Sequence, residues 1–377
     1  MSVYITRLSK YLPNDPISND EIESVLGLIN EAESKARPLI LRNNQIKTRY
    51  YALDKSGKST HTNAQLTKLA IEKLFDKDFG LDDVQIISCG TTSPDQLLPS
   101  HAAMVHGELG GKPTEINSTT GACSAGIQAL KFGYLSLLAG NAENAVCTGS
   151  EKLSVWMLAK YFKEEASKIA ALEGNPIIAF EKDFLRFMLS DGAGALLLQK
   201  QPNKNGLSLK IEWIEQQSFA NEMPACMYAG AVKNEDGSLT GWAELDQNQW
   251  TSQSVFAMKQ DTKLLGDFIV KKGGEMLKVI AEKKKLNIST IDHFLPHLSS
   301  QYFASKIEKE LELLGISIPA SKWFTNLSKV GNVGAGSPFL MLEEFFHSGK
   351  LKKGDTMLMM VPESARFNYA YVLMTVV

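Results

Sequence analysis

Thr120-Gly121-Ala122-Cys123-Ser124-Ala125-Gly126 follows a short strand-like segment, Thr114 to Asn117, and runs into Ile127, Leu130, Tyr134 and Leu137, which repeat at helical spacing. The stretch therefore reads as a tight strand-to-helix turn. Its small residues permit a sharp bend and let a substrate approach the backbone closely. A cysteine at the mouth of a helix meets unpaired amides and the positive end of the helix dipole. Both favour the thiolate and predict a pKa below the free value of about 8.5. A buried cysteine is ordinarily a small apolar filler, but the glycine-bracketed turn marks Cys123 as a nucleophile.

Outward from this turn the same alternation continues. A helix from Asn63 (Leu66, Leu69, Ala70, Leu74) precedes the apolar run Val84 to Cys89, which is bounded by Gly90. A helix from His101 to Leu109 precedes the turn, and the strand Asn144 to Thr148 follows it. Short apolar strands alternating with amphipathic helices indicate an α/β fold with a parallel, helix-covered sheet. Residues 151–187 read as an inserted helical cap, lid or dimer element, followed by a glycine-rich turn into the strand ending at Leu198. Gln201 to Gly206 combines turn formers with no apolar period and is the best linker, placing a boundary near residue 205.

The second half, 206–377, repeats the order of the first, 1–205. It has a long helix around Asp261 to Lys284, a strand Ile291 to Leu295, a helix to about Leu314, a helix Phe339 to Phe346 and two closing strands, Thr356 to Val361 and Tyr369 to Val376. Two similar halves predict a duplicated fold with an internal pseudo-twofold. Residues 17–50 read as helices ending in the basic segment Arg42 to Arg49, either a cap over a substrate entrance or a solvated edge.

Composition narrows the function. The 377 residues are 44% hydrophobic and 22% charged, with 40 basic against 42 acidic side chains, so nothing global points to nucleic acid or a membrane surface. The N-terminus lacks a basic stretch leading into an apolar run, and no segment approaches about 18 uninterrupted apolar residues. The expectation is a cytoplasmic protein. Cys89, Cys123, Cys147 and Cys226 form no CxxC pair and suit reduced thiols.

Six histidines are available as partners for Cys123. His297 follows the strand His293-Phe294-Leu295-Pro296 and so lies at a strand's C-terminal end, where open α/β sheets place their sites. Asn332 lies in Gly331-Asn332-Val333-Gly334-Ala335-Gly336, a run so small that close packing or backbone approach must require it; a structural turn asparagine is the competing reading. Neither this run nor Asp191-Gly192-Ala193-Gly194 matches a nucleotide-binding pattern. With no metal-ligand spacing in the chain, no metal is expected.

Taken together these pieces resemble the ketoacyl-acyl carrier protein synthase III family over nearly the whole chain. The matching segments are Thr91-Thr92-Ser93 with Leu98-Pro99-Ser100, the Cys123 turn, Thr148-Gly149-Ser150-Glu151, Ser190 to Ala195, Leu295-Pro296-His297 and Val330-Gly331-Asn332. The resemblance implies a thiolase-type αβαβα duplicated fold, a homodimer and a triad of Cys123, His297 and Asn332. It implies acyl transfer from CoA or an acyl carrier protein onto Cys123, then condensation with a malonyl- or β-ketoacyl-type thioester. Those thioesters are the substrates, with no further cofactor.

Three departures concern the substrate. The family's histidine is followed by Gln-Ala-Asn, whereas Leu298-Ser299-Ser300 stands here. The glycine-rich loop that supplies an oxyanion amide is replaced by Pro362 to Phe367, making Ser364, Ala365 and Arg366 the candidate contacts there. The tryptophan and arginine that clamp the CoA adenine correspond roughly to Leu39 and Asn43. These changes favour a specialised relative that joins carrier-bound β-ketoacyl chains, as in dialkylresorcinol or aryl-lipid biosynthesis. Competing readings are a ketosynthase-like acyltransferase that does not decarboxylate, a cysteine hydrolase, and a non-catalytic subunit of a heterodimeric synthase. The presence of all three triad members argues against the last.

Overall fold

The computed structural model describes residues 1–29, 31–162 and 184–377. Most of the expected insertion at 151–187 lies outside the described residues. Nine strands form one sheet: β1 (Val3–Tyr11), β2 (Ile86–Thr91), β3 (Glu115–Thr120), β4 (Asn144–Glu151), β5 (Gly192–Gln199), β6 (Leu209–Ser218), β7 (His293–Pro296), β8 (Thr356–Glu363) and β9 (Asn368–Val376). Their order is β7-β8-β9-β6-β1-β5-β4-β2-β3. The halves meet where Val3 to Ile5 of β1 pair with Leu209 to Ile211 of β6. From that seam each leaf runs outward in the same sequence, β1-β5-β4-β2 in one and β6-β9-β8-β7 in the other. The first leaf ends in β3; in the second, a single parallel bridge from Phe294 to Trp323 holds the corresponding edge. We propose from this repeat that the halves divide in the turn between β5 and β6.

Six helices complete the frame: α1 (Asn63–Glu72), α2 (His101–Leu109), α3 (Ala125–Ala139), α4 (Thr262–Lys284), α5 (Ala304–Leu313) and α6 (Ser337–Phe346). The layering follows from which alternate strand residues share a core. Leu196 and Leu198 of β5 and Met359 and Val361 of β8 pack with Ile127 and Leu130 of α3 and Phe339 and Leu342 of α6. Their neighbours point the other way. Leu197 packs with Leu66, Ala70 and Val105 of α1 and α2, and Leu358 and Met360 pack with Leu277 and Leu311 of α4 and α5. The result is an α-β-α-β-α stack, with α3 and α6 between the leaves. This is the thiolase-type fold.

The expected parallel sheet is corrected: the sheet is mixed. Only β2 with β3, β2 with β4 and β7 with β8 pair in parallel. The Ser364 to Phe367 connection between β8 and β9 is too short for a crossover and forces an antiparallel hairpin. Residues 17–50 are also better anchored than a solvated edge. Asn44 and Arg49 are buried and donate to the Phe187 carbonyl, while the Lys47 amide and Thr48 hydroxyl donate to the carbonyls of Ser328 and Lys329.

Candidate active site

The strand-to-helix turn at Cys123 forms as the sequence predicts. β3 ends at Thr120, the Ala125 amide closes a turn on the Ala122 carbonyl at 2.9 Å, and α3 begins at Ala125. Cys123 is 8% exposed, whereas Cys89, Cys147 and Cys226 have no exposed surface. The expectation of a depressed thiol pKa is not met in this structure. Burial pushes the Cys123 thiol up from its ordinary value, the Glu363 and Glu151 carboxylates push it the same way, and its own amide pulls it down. The net effect favours the neutral thiol over the thiolate.

His297 leaves β7 with its amide donating to the Met360 carbonyl at 2.8 Å. Its side chain is 4% exposed and Nε2 has no hydrogen-bond partner among the described residues. Desolvation brings its pKa down from the ordinary imidazole value to about 4, so the ring is neutral near pH 7. Asn332 is fixed on both sides: its amide donates to the Met188 carbonyl and its carbonyl accepts from Ser190, both at 2.9 Å. Its Oδ1 accepts from the Gly334 amide at 3.0 Å and the Ser337 hydroxyl at 3.4 Å, which leaves the Nδ2 hydrogens as donors for a ligand. Gly334 has φ of +47°, and a Cβ there would stand 2.8 Å from a Glu151 carboxylate oxygen. The turn after Asn332 needs glycine for both reasons.

Cys123, His297 and Asn332 line one cavity. Most of the remaining wall is apolar, including Leu185, Met188, Leu265, Ile269, Phe303 and Ile307. Met227, Met258 and Gln260 come from the excursion between β6 and α4, whose small strand pairs the sequence pattern did not reveal. Ser364 reaches the cavity wall. Ala365 and Arg366 do not: the Ala365 carbonyl accepts from the Cys226 and Met227 amides, while Arg366 is exposed and donates Nε to the Met223 carbonyl. The Arg366 amide donates to the Glu363 carboxylate. Among the described residues no group of three or more His, Cys, Asp and Glu is arranged to hold a metal ion, and no helix is long and apolar enough to cross a membrane.

Residues 100–203, which contain Cys123, match the model of the beta-ketoacyl synthase N-terminal domain. Residues 281–362, which contain His297 and Asn332, match that of the 3-oxoacyl-[acyl-carrier-protein] synthase III C terminal. The chain is 24% identical to the beta-ketoacyl-[acyl-carrier-protein] synthase III of Chlorobaculum tepidum, over 95% of both chains. It is 26% identical to that of Clostridium perfringens, over 93% of this chain and 92% of the relative. The chain belongs to the ketoacyl-acyl carrier protein synthase III family. It is accordingly a condensing enzyme of the acyltransferase class. Its fold is shared with AbyA1, a tetronic acid condensing enzyme, at a TM-score of 0.78 and 19% identity over 99% of both chains. It is shared as well with Xanthomonas campestris OleA, described with bound lauric acid and lauroyl-CoA, at 0.75 and 16% over 100% of this chain and 99% of that one.

Two residues beside the synthase's cavity escaped the sequence reading as contributors to the site. Thr92 lines the cavity and is bound through its amide and hydroxyl to Glu151. Glu363 is buried under the Cys123 turn. The available signal was strand alternation: Met357, Met359 and Val361 face the central core, so Glu363 continues an inward-facing row.

Proposed function

We propose that Cys123 accepts an acyl group from a carrier-bound thioester and that His297 and Asn332 support the Claisen condensation that follows. The Cys123 sulfur attacks the thioester carbonyl, the carbon–sulfur bond to the donor breaks, and the thiol proton passes to the departing pantetheine sulfur. The acyl oxyanion meets the Cys123 amide, with Ser364 on the adjoining wall. In the second step a malonyl- or β-ketoacyl-type thioester places its carbonyl oxygen against His297 Nε2 and Asn332 Nδ2. Loss of CO2 from a malonyl-type thioester then yields an enolate whose charge these donors stabilise, each worth about 3 to 4 kcal/mol. The enolate carbon attacks the acyl carbonyl and the Cys123 sulfur leaves.

The observation that carries this reading is the buried, unpartnered Nε2 of His297 in the cavity shared with Cys123 and Asn332. A buried polar atom without a protein partner is costly unless a ligand completes it. The apolar wall favours an acyl chain well beyond acetyl, because each methylene removed from water contributes about 0.8 kcal/mol. Leu39 is 43% exposed and Asn43 lends its carbonyl to the Ser300 hydroxyl, which offers no adenine clamp and supports a carrier-protein donor. The open edge of β3, with Ile116, Leu97 and Leu98 exposed, supports a homodimer built on that edge. The family's chemistry and four cysteines that form no disulfide among the described residues fit a cytoplasmic enzyme of fatty acid or polyketide-type biosynthesis.

Intact-protein mass spectrometry of the synthase mixed with acyl-CoA and acyl-carrier donors, from acetyl to palmitoyl, tests the first step. One acyl adduct is expected on the wild type and none on Cys123→Ala. Adding a malonyl-carrier to the loaded enzyme should release CO2 and a ketoacyl product. Persistent loading of Cys123→Ala would overturn the assignment.

A further inference from the structure

Two buried glutamates hold matching places in the two halves. Glu151 is the last residue of β4 and Glu363 the last of β8, and these strands occupy the same position in their leaves. Each reaches the N-terminal turn of the central helix of the other half. Glu151 accepts from the Ala335 amide, two residues ahead of α6. Glu363 accepts from the Ala122 amide and the Ser124 hydroxyl, one on each side of Cys123. The Arg366 amide and Asn368 side chain also donate to Glu363, and Asn368 Nδ2 lies 2.9 Å from Ser124 Oγ. Burial raises the Glu363 carboxyl above its ordinary value, and the four donors oppose that shift without cancelling it.

We propose, on the reading of Cys123 as the nucleophile, that Glu363 is a positioning residue for that thiol, gripping the turn on both sides of the sulfur. The charged and titratable groups that face the thiol are Glu363 from β8, Glu151 from β4 and His297 after β7. Glu363 in turn faces Cys123; the Tyr369 phenol, on the outer face of β9, senses its charge from the other side of the sheet. Negative charge beside an ionising thiol disfavours the thiolate, so removing it must shift ionisation to lower pH. Loss of the grip must separately slow attack, because small displacements of a reacting atom cost large factors in rate.

Glu363→Gln keeps the shape and removes the charge. The test measures iodoacetamide alkylation of Cys123 against pH, with the site mapped by peptide mass spectrometry, beside the rate of acyl loading. The midpoint should fall by about one unit, while loading above both midpoints slows by roughly tenfold to a hundredfold. Glu363→Asp should bring the midpoint back. Ser124→Ala keeps the carboxylate and removes one strand of the grip, so it should slow loading severalfold at an unmoved midpoint; should the Gln variant not fold, this variant decides. An unmoved midpoint in Glu363→Gln, or wild-type loading in Ser124→Ala, overturns the proposal. Acyl label found away from Cys123 instead overturns the nucleophile reading beneath it, a result the peptide map separates from the others.

Discussion

The Glu151 carboxylate accepts a hydrogen bond from the Ala335 amide at 3.0 Å, tying the end of β4 in the first half to the turn before α6 in the second. The same side chain accepts from the amides of Thr92 and Ser93 at 3.0 and 3.1 Å, and from both their hydroxyls. One carboxylate thus fixes Thr92 on the cavity wall and the turn that carries Asn332.

Glu151→Ala would leave the Thr92, Ser93 and Ala335 amides without their acceptor. Each buried amide so stranded costs about 1 to 3 kcal/mol, so the variant should lose roughly 3 kcal/mol or more in urea unfolding. Condensation should suffer more than acyl loading, because the displaced turn holds Asn332 rather than Cys123. Unfolding at the wild-type urea concentration would contradict the bracing role.

His297→Ala and Asn332→Ala should still load acyl groups but condense about a hundredfold to a thousandfold more slowly. The folded-state pKa of His297 lies near 4 because of burial, so condensation should not titrate with this ring above about pH 5. Stability has the opposite signature. Between the unfolded value of about 6.5 and the folded value the unfolded chain binds the extra proton, so stability is full above that window and falls as pH drops through it, by about 3 kcal/mol for this residue. His101, buried with a pKa also near 4, adds a parallel loss. Urea midpoints at about pH 5 and about pH 7 should therefore differ, and His297→Gln should narrow the gap. An equal gap in the variant would show that the ring is not the group titrating.

Legibility in the sequence followed the range of the interactions. The turn at Cys123, the long helix that ends at Lys284, and the strand leading to His297 are local patterns, and each appears close to its expected bounds. Strand direction was not legible, because it depends on how the chain returns: the four-residue connection after Glu363 makes β9 antiparallel, while α3 carries the chain round to a parallel β4. The thiol's electrostatics were misread for the same reason. The helix terminus is local, but the burial that opposes it comes first from tertiary packing, and the Glu363 carboxylate that adds to it arrives from the other half of the chain. That Cys123 from one half should work with His297 and Asn332 from the other is implied by the family resemblance alone, since spacing carries no such information; the three residues line one cavity.

The length of the acyl chain should be set by α4, whose Leu265, Ile269 and Val270 form part of the cavity wall. Ile269 is 7% exposed and faces the same core as Met360, so a larger ring placed there intrudes on the space a chain would fill. Ile269→Trp should leave acetyl and butyryl loading close to wild type and depress longer chains. Each methylene shut out forfeits about 0.8 kcal/mol, close to a fourfold loss, so a chain shortened by two carbons should load about fifteenfold more slowly. The measurement is kcat/KM for loading across straight-chain thioesters, with a melting curve to confirm folding. A uniform fall for all donors would mean that the ring distorts the site as a whole, and an unchanged profile would place the chain against another wall.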